Sequence, residues 1–159
     1  MKYEDAKTLG EVVLERLKPY IEKGIIAGSV RRKKAECHDV DLVIIPKREF
    51  MVMENIKAIL RQYGKFDKQG KDILIVKDEV KGTQVDCYIA NEKTFEMVLL
   101  IRTGSKEHNV KLAQRAIQKE LSLKHGLGLV DKETGRVVAN TEKNIFRELG
   151  LKYVEPEKR

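Results

Sequence analysis

The decisive stretch of this chain reads Gly28-Ser29-Val30-Arg31-Arg32 and then, after a short polar segment, Asp39-Val40-Asp41 and the apolar run Leu42-Val43-Ile44-Ile45. Side chains two positions apart in a strand point the same way, so we expect Asp39 and Asp41 to project together. Neighbouring carboxylates repel each other unless a cation lies between them. Mg²⁺ is held by one or two carboxylates together with substrate phosphates, which a Gly-Ser-Arg turn could bind. The order of the motifs therefore indicates metal-assisted nucleotidyl transfer.

Asp86 is the candidate for the third carboxylate of a two-metal site, because two ions must flank both the attacking and the leaving oxygen. It lies in the alternating stretch Val85-Asp86-Cys87-Tyr88-Ile89, which follows a Lys81-Gly82 turn and is predicted to pair with a strand at 73–76. Taken alone, Asp86 or an Asp-x-Asp motif is more simply explained as a solvated carboxylate on an exposed strand. Their occurrence together favours the metal site.

With Thr103-Gly104-Ser105 opening a helix, these motifs resemble the family X DNA polymerases, the group typified by DNA polymerase beta, within the nucleotidyltransferase superfamily. The resemblance covers nearly the whole chain. It implies an α+β fold. A nucleotidyltransferase palm would occupy residues 1–102, with a mixed sheet backed by helices, and a small C-terminal α/β subdomain that binds the nucleotide and the nascent pair would occupy residues 103–159. Asp39, Asp41 and Asp86 would then be the catalytic carboxylates and hold two Mg²⁺ ions, with Mn²⁺ able to substitute.

The resemblance also implies a nucleotide-binding set. Ser29 and Arg32 would contact the triphosphate, and Asn109 would read the minor-groove side of the nascent pair. The other members are Gly28, His38, Ile101, Arg102, Thr103 and Gly104. Three positions depart from the family pattern, since His38 replaces a Gly, Gln84 replaces an Arg, and Ile101-Arg102 replaces an aromatic pair that crowds the sugar. We therefore expect poor discrimination between ribo- and deoxyribonucleotides.

The charge of the chain makes nucleic acid a natural partner. The net charge is +7, from 32 Lys and Arg against 25 Asp and Glu, and basic side chains release counterions when they neutralise phosphates. Lys106, Lys111 and Arg115 lie along one predicted helix and are the candidate DNA-binding residues. A solvated helix face explains this pattern almost as well, and a charged fraction of 36% is also typical of proteins adapted to high temperature.

Length and composition place the chain in a broad class. Its 159 residues predict one domain by size, and we expect a minimal form of the family without a preceding lyase domain. No apolar run approaches the roughly twenty residues that span a bilayer, and the N-terminus is no signal peptide. Two isolated cysteines indicate a reducing compartment, with Cys87 directed into the core. We expect a cytoplasmic monomer, nucleoid-associated in a prokaryote and not secreted.

Periodicity predicts the elements of the mixed fold. Helices are expected at 4–23, with a kink near Pro19, and at 48–62, 93–101, 105–120 and 141–149. Strands at 121–123, 127–130 and 136–138 would form a small C-terminal sheet.

The sequence favours a template-directed DNA polymerase that adds nucleotides to a primer 3′-hydroxyl in short-gap repair. Its substrates would be gapped or primer-template DNA and deoxyribonucleoside triphosphates, with ribonucleoside triphosphates as further substrates. One alternative is a nucleotidyltransferase that modifies a protein or small molecule, as antitoxin-type relatives do, although these lack the Thr-Gly-Ser helix and the C-terminal sheet. A non-catalytic DNA-binding module is the other, and the three Asp positions argue against it.

Overall fold

The computed structural model describes residues 1–159, which form six α-helices and eight β-strands. The helices are α1 (Tyr3–Leu17), α2 (Gly28–Arg31), α3 (Val52–Leu60), α4 (Phe95–Thr103), α5 (Lys106–Gln118) and α6 (Glu142–Glu148). The strands are β1 (Ile21–Ile26), β2 (Val40–Pro46), β3 (Lys65–Gln69), β4 (Ile73–Asp78), β5 (Thr83–Ile89), β6 (Leu121–Lys124), β7 (Gly128–Asp131) and β8 (Val137–Ala139). The expected α+β class is confirmed.

The larger sheet has five strands in the order β1-β2-β5-β4-β3. The β2 and β5 strands run parallel and all other neighbours are antiparallel, so the sheet is mixed. Val40, Leu42 and Ile44 alternate into a core that α1 and α3 cover. On the opposite face, Val43 and Ile45 pack against α4. Tyr88 of β5 joins the same cluster as α4, and Asp86, two residues earlier on this face, is buried.

Two strands of this sheet were not predicted. The helix expected at 4–23 ends at Leu17, and after a 3-10 turn at Lys18–Tyr20 the chain enters β1, which pairs with β2. Pro19 lies in that turn, where its missing N–H breaks no helical hydrogen bond. The β3 strand was assigned no structure because Lys65–Gln69 is polar and almost wholly exposed, as befits an edge strand.

The C-terminal part is a three-stranded antiparallel sheet, β6-β7-β8, packed with α5 and α6 around its own core. Its strands begin and end within one residue of the predicted positions. Met97 and Leu100 of α4 belong to this second core, whereas Val98 and Leu99 belong to the core of the larger sheet. Since α4 serves both units, a boundary between residues 102 and 103 stays a prediction.

Two further features of the molecule are the composition of its helices and the state of its cysteines. The helices lack the combination of length and apolar composition that crossing a membrane requires. Both cysteines are free and buried, and Cys87 packs into the core beneath the sheet, as expected.

Candidate active site

The carboxylate cluster, defined as Asp39, Asp41 and Asp86, lies where β2 and β5 run side by side. Asp41 and Asp86 are register partners on these two parallel strands, so their side chains share one face of the sheet. Asp39 stands in a bend just before β2, which corrects the prediction that it lies on the strand itself. Its charge nevertheless acts on both other carboxylates.

The carboxyl of Asp41 has a strongly raised pKa. Burial raises the pKa of its carboxyl to about 7, and the negative charges of Asp39 and Asp86 add to the rise. The Arg102 guanidinium opposes the shift. A carboxyl with such a pKa has lost hydration without gaining full compensation from a cation.

Asp86 is held in a fixed orientation by two neighbours on its own strand. The Gln84 side-chain amide donates a 2.7 Å hydrogen bond to Oδ1, and the Tyr88 hydroxyl donates a 3.3 Å bond to Oδ2. Burial raises the pKa of the Asp86 carboxyl, and the Gln84 bond works against that rise. Gln84 stands where the family pattern has an Arg. Its neutral amide donates a hydrogen bond to Asp86 and brings no positive charge to the cluster.

The turn at Gly28 packs its backbone directly onto Asp41. Gly28 opens α2 with φ +56°, and a Cβ at this residue would lie 1.8 Å from Oδ2 of Asp41. Only glycine fits this close approach. The Ala27 amide also donates to the Asp41 carbonyl at 2.8 Å, which joins the turn to β2. Next in the chain, the Ser29 hydroxyl is buried without a hydrogen-bond partner.

Arg32 joins this turn to the start of the C-terminal unit. Its guanidinium donates to the Thr103 carbonyl and lies beside Gly104, whose φ is +66°. Ser105 then caps α5 by accepting from the His108 amide at 3.3 Å. The structure thus brings Arg32, Thr103 and Gly104 together, and their binding of a nucleotide stays a prediction.

A second link between the two units was missed by sequence reasoning. Arg31 donates to both carboxylate oxygens of Glu142 at 2.8 and 3.0 Å, and to the Thr103 hydroxyl at 2.7 Å. Arg159 and the Tyr153 hydroxyl also donate to Glu142, at 3.0 and 3.2 Å. Burial raises the pKa of this carboxyl, but the two guanidiniums outweigh it and the net pKa is lowered. The partners are 111 residues apart, so no local pattern identifies them.

The remaining predicted nucleotide-binding residues are placed differently from one another. Asn109 donates from Nδ2 to the Ile101 carbonyl at 2.8 Å, and its buried Oδ1 has no partner. Ile101 packs against the C-terminal core. Arg102 instead turns toward the larger sheet, with its guanidinium 4.1 Å from the Tyr88 ring centre. His38 is exposed and lies two residues before β2 begins.

The candidate DNA-binding residues do not form one free stripe. Arg115 donates from Nε to the Leu149 carbonyl at 2.9 Å, which satisfies the C-terminal end of α6. Arg115 thus joins α5 to α6, and its contact with DNA phosphate stays a prediction. Lys106 and Lys111 are exposed and pair with no acidic side chain. Their contact with DNA stays a prediction.

The chain is similar to several known DNA polymerases. The family profile described as DNA polymerase beta thumb matches residues 98–159. The chain is 30% identical over 139 residues to the DNA polymerase/3′-5′ exonuclease PolX of Bacillus subtilis, an alignment that covers 82% of this chain and 23% of the Bacillus protein. It is 29% identical over 155 residues to a repair DNA polymerase X of African swine fever virus, covering 87% of this chain and 83% of the viral protein. With the DNA nucleotidylexotransferase of Xenopus laevis, identity is 24% over 200 residues, covering 96% of this chain and 39% of the relative.

Over most of its length the chain is similar to family X DNA polymerases. This family consists of nucleotidyltransferases, and the resemblance inferred from the motifs is confirmed. The profile match begins within α4, the helix whose side chains serve both cores. Because the alignment spans less than a quarter of the Bacillus polymerase, the activities of that whole protein are not transferred to this chain.

The chemistry of the carboxylate cluster suits the divalent metal ions that family X polymerases generally use. Mg²⁺ and Mn²⁺ prefer oxygen ligands, and the cluster offers only carboxylates. Burial raises the pKa of the Asp41 and Asp86 carboxyls and the neighbouring negative charges add to the rise, and a bound cation would favour the ionised form of both. No group of three acidic, His or Cys side chains is arranged to hold an ion in this structure, so metal binding by the cluster stays a proposal.

Proposed function

We propose that this chain is a metal-dependent, template-directed DNA polymerase that adds nucleotides to a primer 3′-hydroxyl in short DNA gaps. The observation that carries the proposal is the register pair Asp41 and Asp86, with the Gly28 backbone packed against Asp41. This places a turn with an unpartnered Ser29 hydroxyl beside two carboxylates of raised pKa. A triphosphate and its reacting hydroxyl need those two features next to each other.

In the proposed reaction the primer 3′-oxygen attacks the α-phosphorus of the incoming nucleotide, a phosphodiester bond forms, and the bond to pyrophosphate breaks. Asp86 accepts the hydroxyl proton, because a carboxylate of raised pKa is a better base than a solvated one. Asp39, Asp41 and Asp86 would hold the divalent ions, which supply positive charge for the developing negative charge on phosphate. The Ser29 hydroxyl and the Arg32 guanidinium bind the outer phosphates and orient them for departure.

The C-terminal unit would bind the nascent pair and the DNA. Asn109 has a buried Oδ1 without a partner and stands on the first turns of α5, directly after Thr103 and Gly104. Lys106 and Lys111, exposed on the same helix, would contact backbone phosphates. The viral relative is named a repair polymerase and the match covers 83% of its length, which supports repair as the biological setting.

Extension of a labelled primer tests the proposal. The substrates are a one-nucleotide gap, a nick and an open primer-template, each with Mg²⁺ and with EDTA. We expect Mg²⁺-dependent addition, highest on the gap, and loss of most activity in Asp86→Asn. Asp72→Asn, at an exposed turn, is the matched control and should extend like the wild type. Transfer of a nucleotide label to protein instead of primer would favour the modifying alternative, and binding without extension would favour the DNA-binding module.

A further inference from the structure

Strand β1 is a free edge of the larger sheet, where it pairs with β2 alone. The Ala27 amide donates to the Asp41 carbonyl, so these two residues form a hydrogen-bonded pair of the antiparallel ladder. Hydrogen-bonded pairs alternate along such a ladder with pairs that do not bond to each other. Ile25 therefore bonds to β2, whereas Gly24 and Ile26 direct their amide and carbonyl groups away from it. No backbone group elsewhere in the chain bonds to these outward groups.

The second half of this edge is unprotected. A bulge at Glu22 and the charge of Lys23 interrupt the first half, which is a common protection of edge strands. Residues 24–26 read Gly-Ile-Ile and carry no charge. The opposite edge, β3, has three charged residues among its five. An uncharged edge with outward amides and carbonyls is the kind of surface to which a further extended segment adds as a strand.

A cleft borders the edge on each face of the sheet. The first cleft, of about 490 Å³, lies between β1, α4 and α6, and the second, of about 370 Å³, lies between β1 and α1. Ile25 lines the first cleft and Gly24 the second, as the alternation of β1 requires. Successive side chains of an added strand would enter the two clefts in turn for the same reason.

The first cleft carries unpaired positive charge. Both of its acidic residues are engaged, because Glu142 pairs with Arg31 at 2.8 Å and Glu96 accepts from the Glu142 amide at 2.8 Å. Lys23 and Lys143 line the same cleft and form no ion pair. An acidic side chain of an added strand would therefore meet two free ammonium groups.

The second cleft carries excess negative charge. Its charged lining consists of three glutamates and two lysines, Glu11, Glu15, Glu22, Lys18 and Lys23. Lys18 pairs with Glu15 at 3.4 Å. The Lys23 ammonium turns to the other face, 4.4 Å from the centre of the Phe95 ring in the first cleft. A basic side chain of an added strand would therefore meet Glu11 and Glu22.

We propose that β1 is a docking site for an extended peptide segment of a partner protein, which adds to the sheet with acidic side chains in the first cleft and basic side chains in the second. The outward amides and carbonyls of Gly24 and Ile26 supply its main-chain hydrogen bonds. The opposite charges of the two clefts select its sequence, because main-chain bonds alone do not distinguish side chains. This inference does not depend on the proposed polymerase function.

Fluorescence anisotropy of a labelled, capped peptide titrated with the full chain tests the docking site. The probe is Val-Glu-Lys-Val-Thr-Glu-Lys-Val, which places its glutamates on one face of a strand and its lysines on the other. The control peptide, Val-Glu-Thr-Lys-Val-Glu-Val-Lys, has the same composition with every charge on one face. We expect saturable binding of the probe and at least about fivefold weaker binding of the control peptide. Two further probes, methylated on alternate backbone nitrogens, each lack the amide donors of one edge, and one of them should lose binding.

Variants of the chain assign the probe to β1. Lys143→Met, on the exposed side of α6, and Glu22→Gln, in the bulge, should each weaken probe binding about threefold, because each removes one charge from a cleft. Lys65→Met, on the β3 edge, is the matched control and should leave the affinity unchanged.

Several results would overturn the inference. They are equal binding of the probe and the control peptide, full binding of both methylated probes, and no binding at about 1 mM probe. Equal weakening in Lys65→Met and Lys143→Met would reveal a general charge effect and also overturn it. Sedimentation velocity of the chain without peptide tests the competing occupant, since a dimer that the probe dissociates would assign the edge to a second copy of the chain instead of a partner peptide.

Discussion

Removing the charge of Asp41 should stabilise the metal-free protein while it abolishes catalysis. The carboxyl has an ordinary pKa of 3.8 and a folded-state pKa of about 7, raised by burial and then by Asp39 and Asp86. The unfolded chain therefore releases this proton near pH 4, and the folded chain keeps it until about pH 7. Stability from this group is complete below pH 4, falls as the pH rises to 7, and stays at its minimum above.

The size of the effect follows from the pKa difference. Each pKa unit corresponds to about 1.36 kcal/mol, so roughly three units set a ceiling of about 4 kcal/mol. The side chain keeps some contact with solvent and the Arg102 charge lies nearby, so we expect about half, ~2 kcal/mol, from Asp41→Asn. In a chain of this length that gain corresponds to a rise in Tm of roughly 4–8 °C.

Thermal unfolding followed by circular dichroism measures this gain. In EDTA at pH 8, Asp41→Asn should melt above the wild type, and near pH 4 the two should coincide. Adding Mn²⁺ should raise the Tm of the wild type and leave the variant unchanged, because the ion then has fewer ligands. Asp72→Asn should behave like the wild type throughout. A variant that melts at or below the wild type in EDTA at pH 8 would refute the electrostatic argument for the cluster.

Further predictions follow from other contacts. Gly28→Ala should lower primer extension at least a hundredfold, measured by single-turnover kinetics, because its Cβ would displace the Asp41 carboxylate. Burial lowers the pKa of His108 from 6.5 to about 4, so the stability that the neutral imidazole contributes should fall by about 1–2 kcal/mol between pH 6.5 and pH 4, opposite in sign to the Asp41 contribution. Urea unfolding should show this as a change with pH in the difference in unfolding free energy between the wild type and His108→Gln. Lys111→Ala should reduce the slope of log DNA affinity against log salt concentration by about one, because one phosphate contact is lost. Arg115→Ala should mainly lower Tm, because it removes the bond to the Leu149 carbonyl, and an equal change of slope in both variants would contradict this difference. Single-nucleotide insertion of matched ribo- and deoxyribonucleotides should show weak discrimination, and a deoxy preference above roughly a thousandfold, about 4 kcal/mol, would contradict it.

The sequence predicted the elements whose periodicity is local and apolar. The β4 and β5 hairpin and the three C-terminal strands were located because alternating side chains fill one face of each. The sequence does not reveal β1, because Ile21 continues the four-residue spacing of Val13 and Leu17 and lies in the same core. One long helix would bury these three residues just as a helix followed by a strand does, so periodicity does not distinguish the two. Charged edge strands such as β3 carry no apolar pattern at all.

The candidate site divides in the same way. Motif order was enough to bring Asp41, Asp86 and Gly28 into one hypothesis, and the structure places them in contact or in register. The long-range polar contacts were beyond reach, because a single Arg or Glu in a highly charged chain gives no indication of its partner. Arg115 is an example. Its spacing on α5 indicates DNA binding, but the sequence gives no sign that its guanidinium donates to the Leu149 carbonyl at the end of α6.

The two units are joined by α4 and by charged contacts rather than by a continuous apolar core. The Arg31 pair with Glu142, the Arg32 bond to Thr103 and the Arg102 contact with His125 all cross the interface, and the two largest cores remain separate. Polar interfaces between units permit relative movement, because water can replace their hydrogen bonds at little cost. In this chain the two arginines of the Gly28 turn, Arg31 and Arg32, both reach across. Under the proposed function, a phosphate bound by Arg32 would compete with the bond from Arg32 to the Thr103 carbonyl, and we expect substrate binding to change the position of the C-terminal unit for that reason.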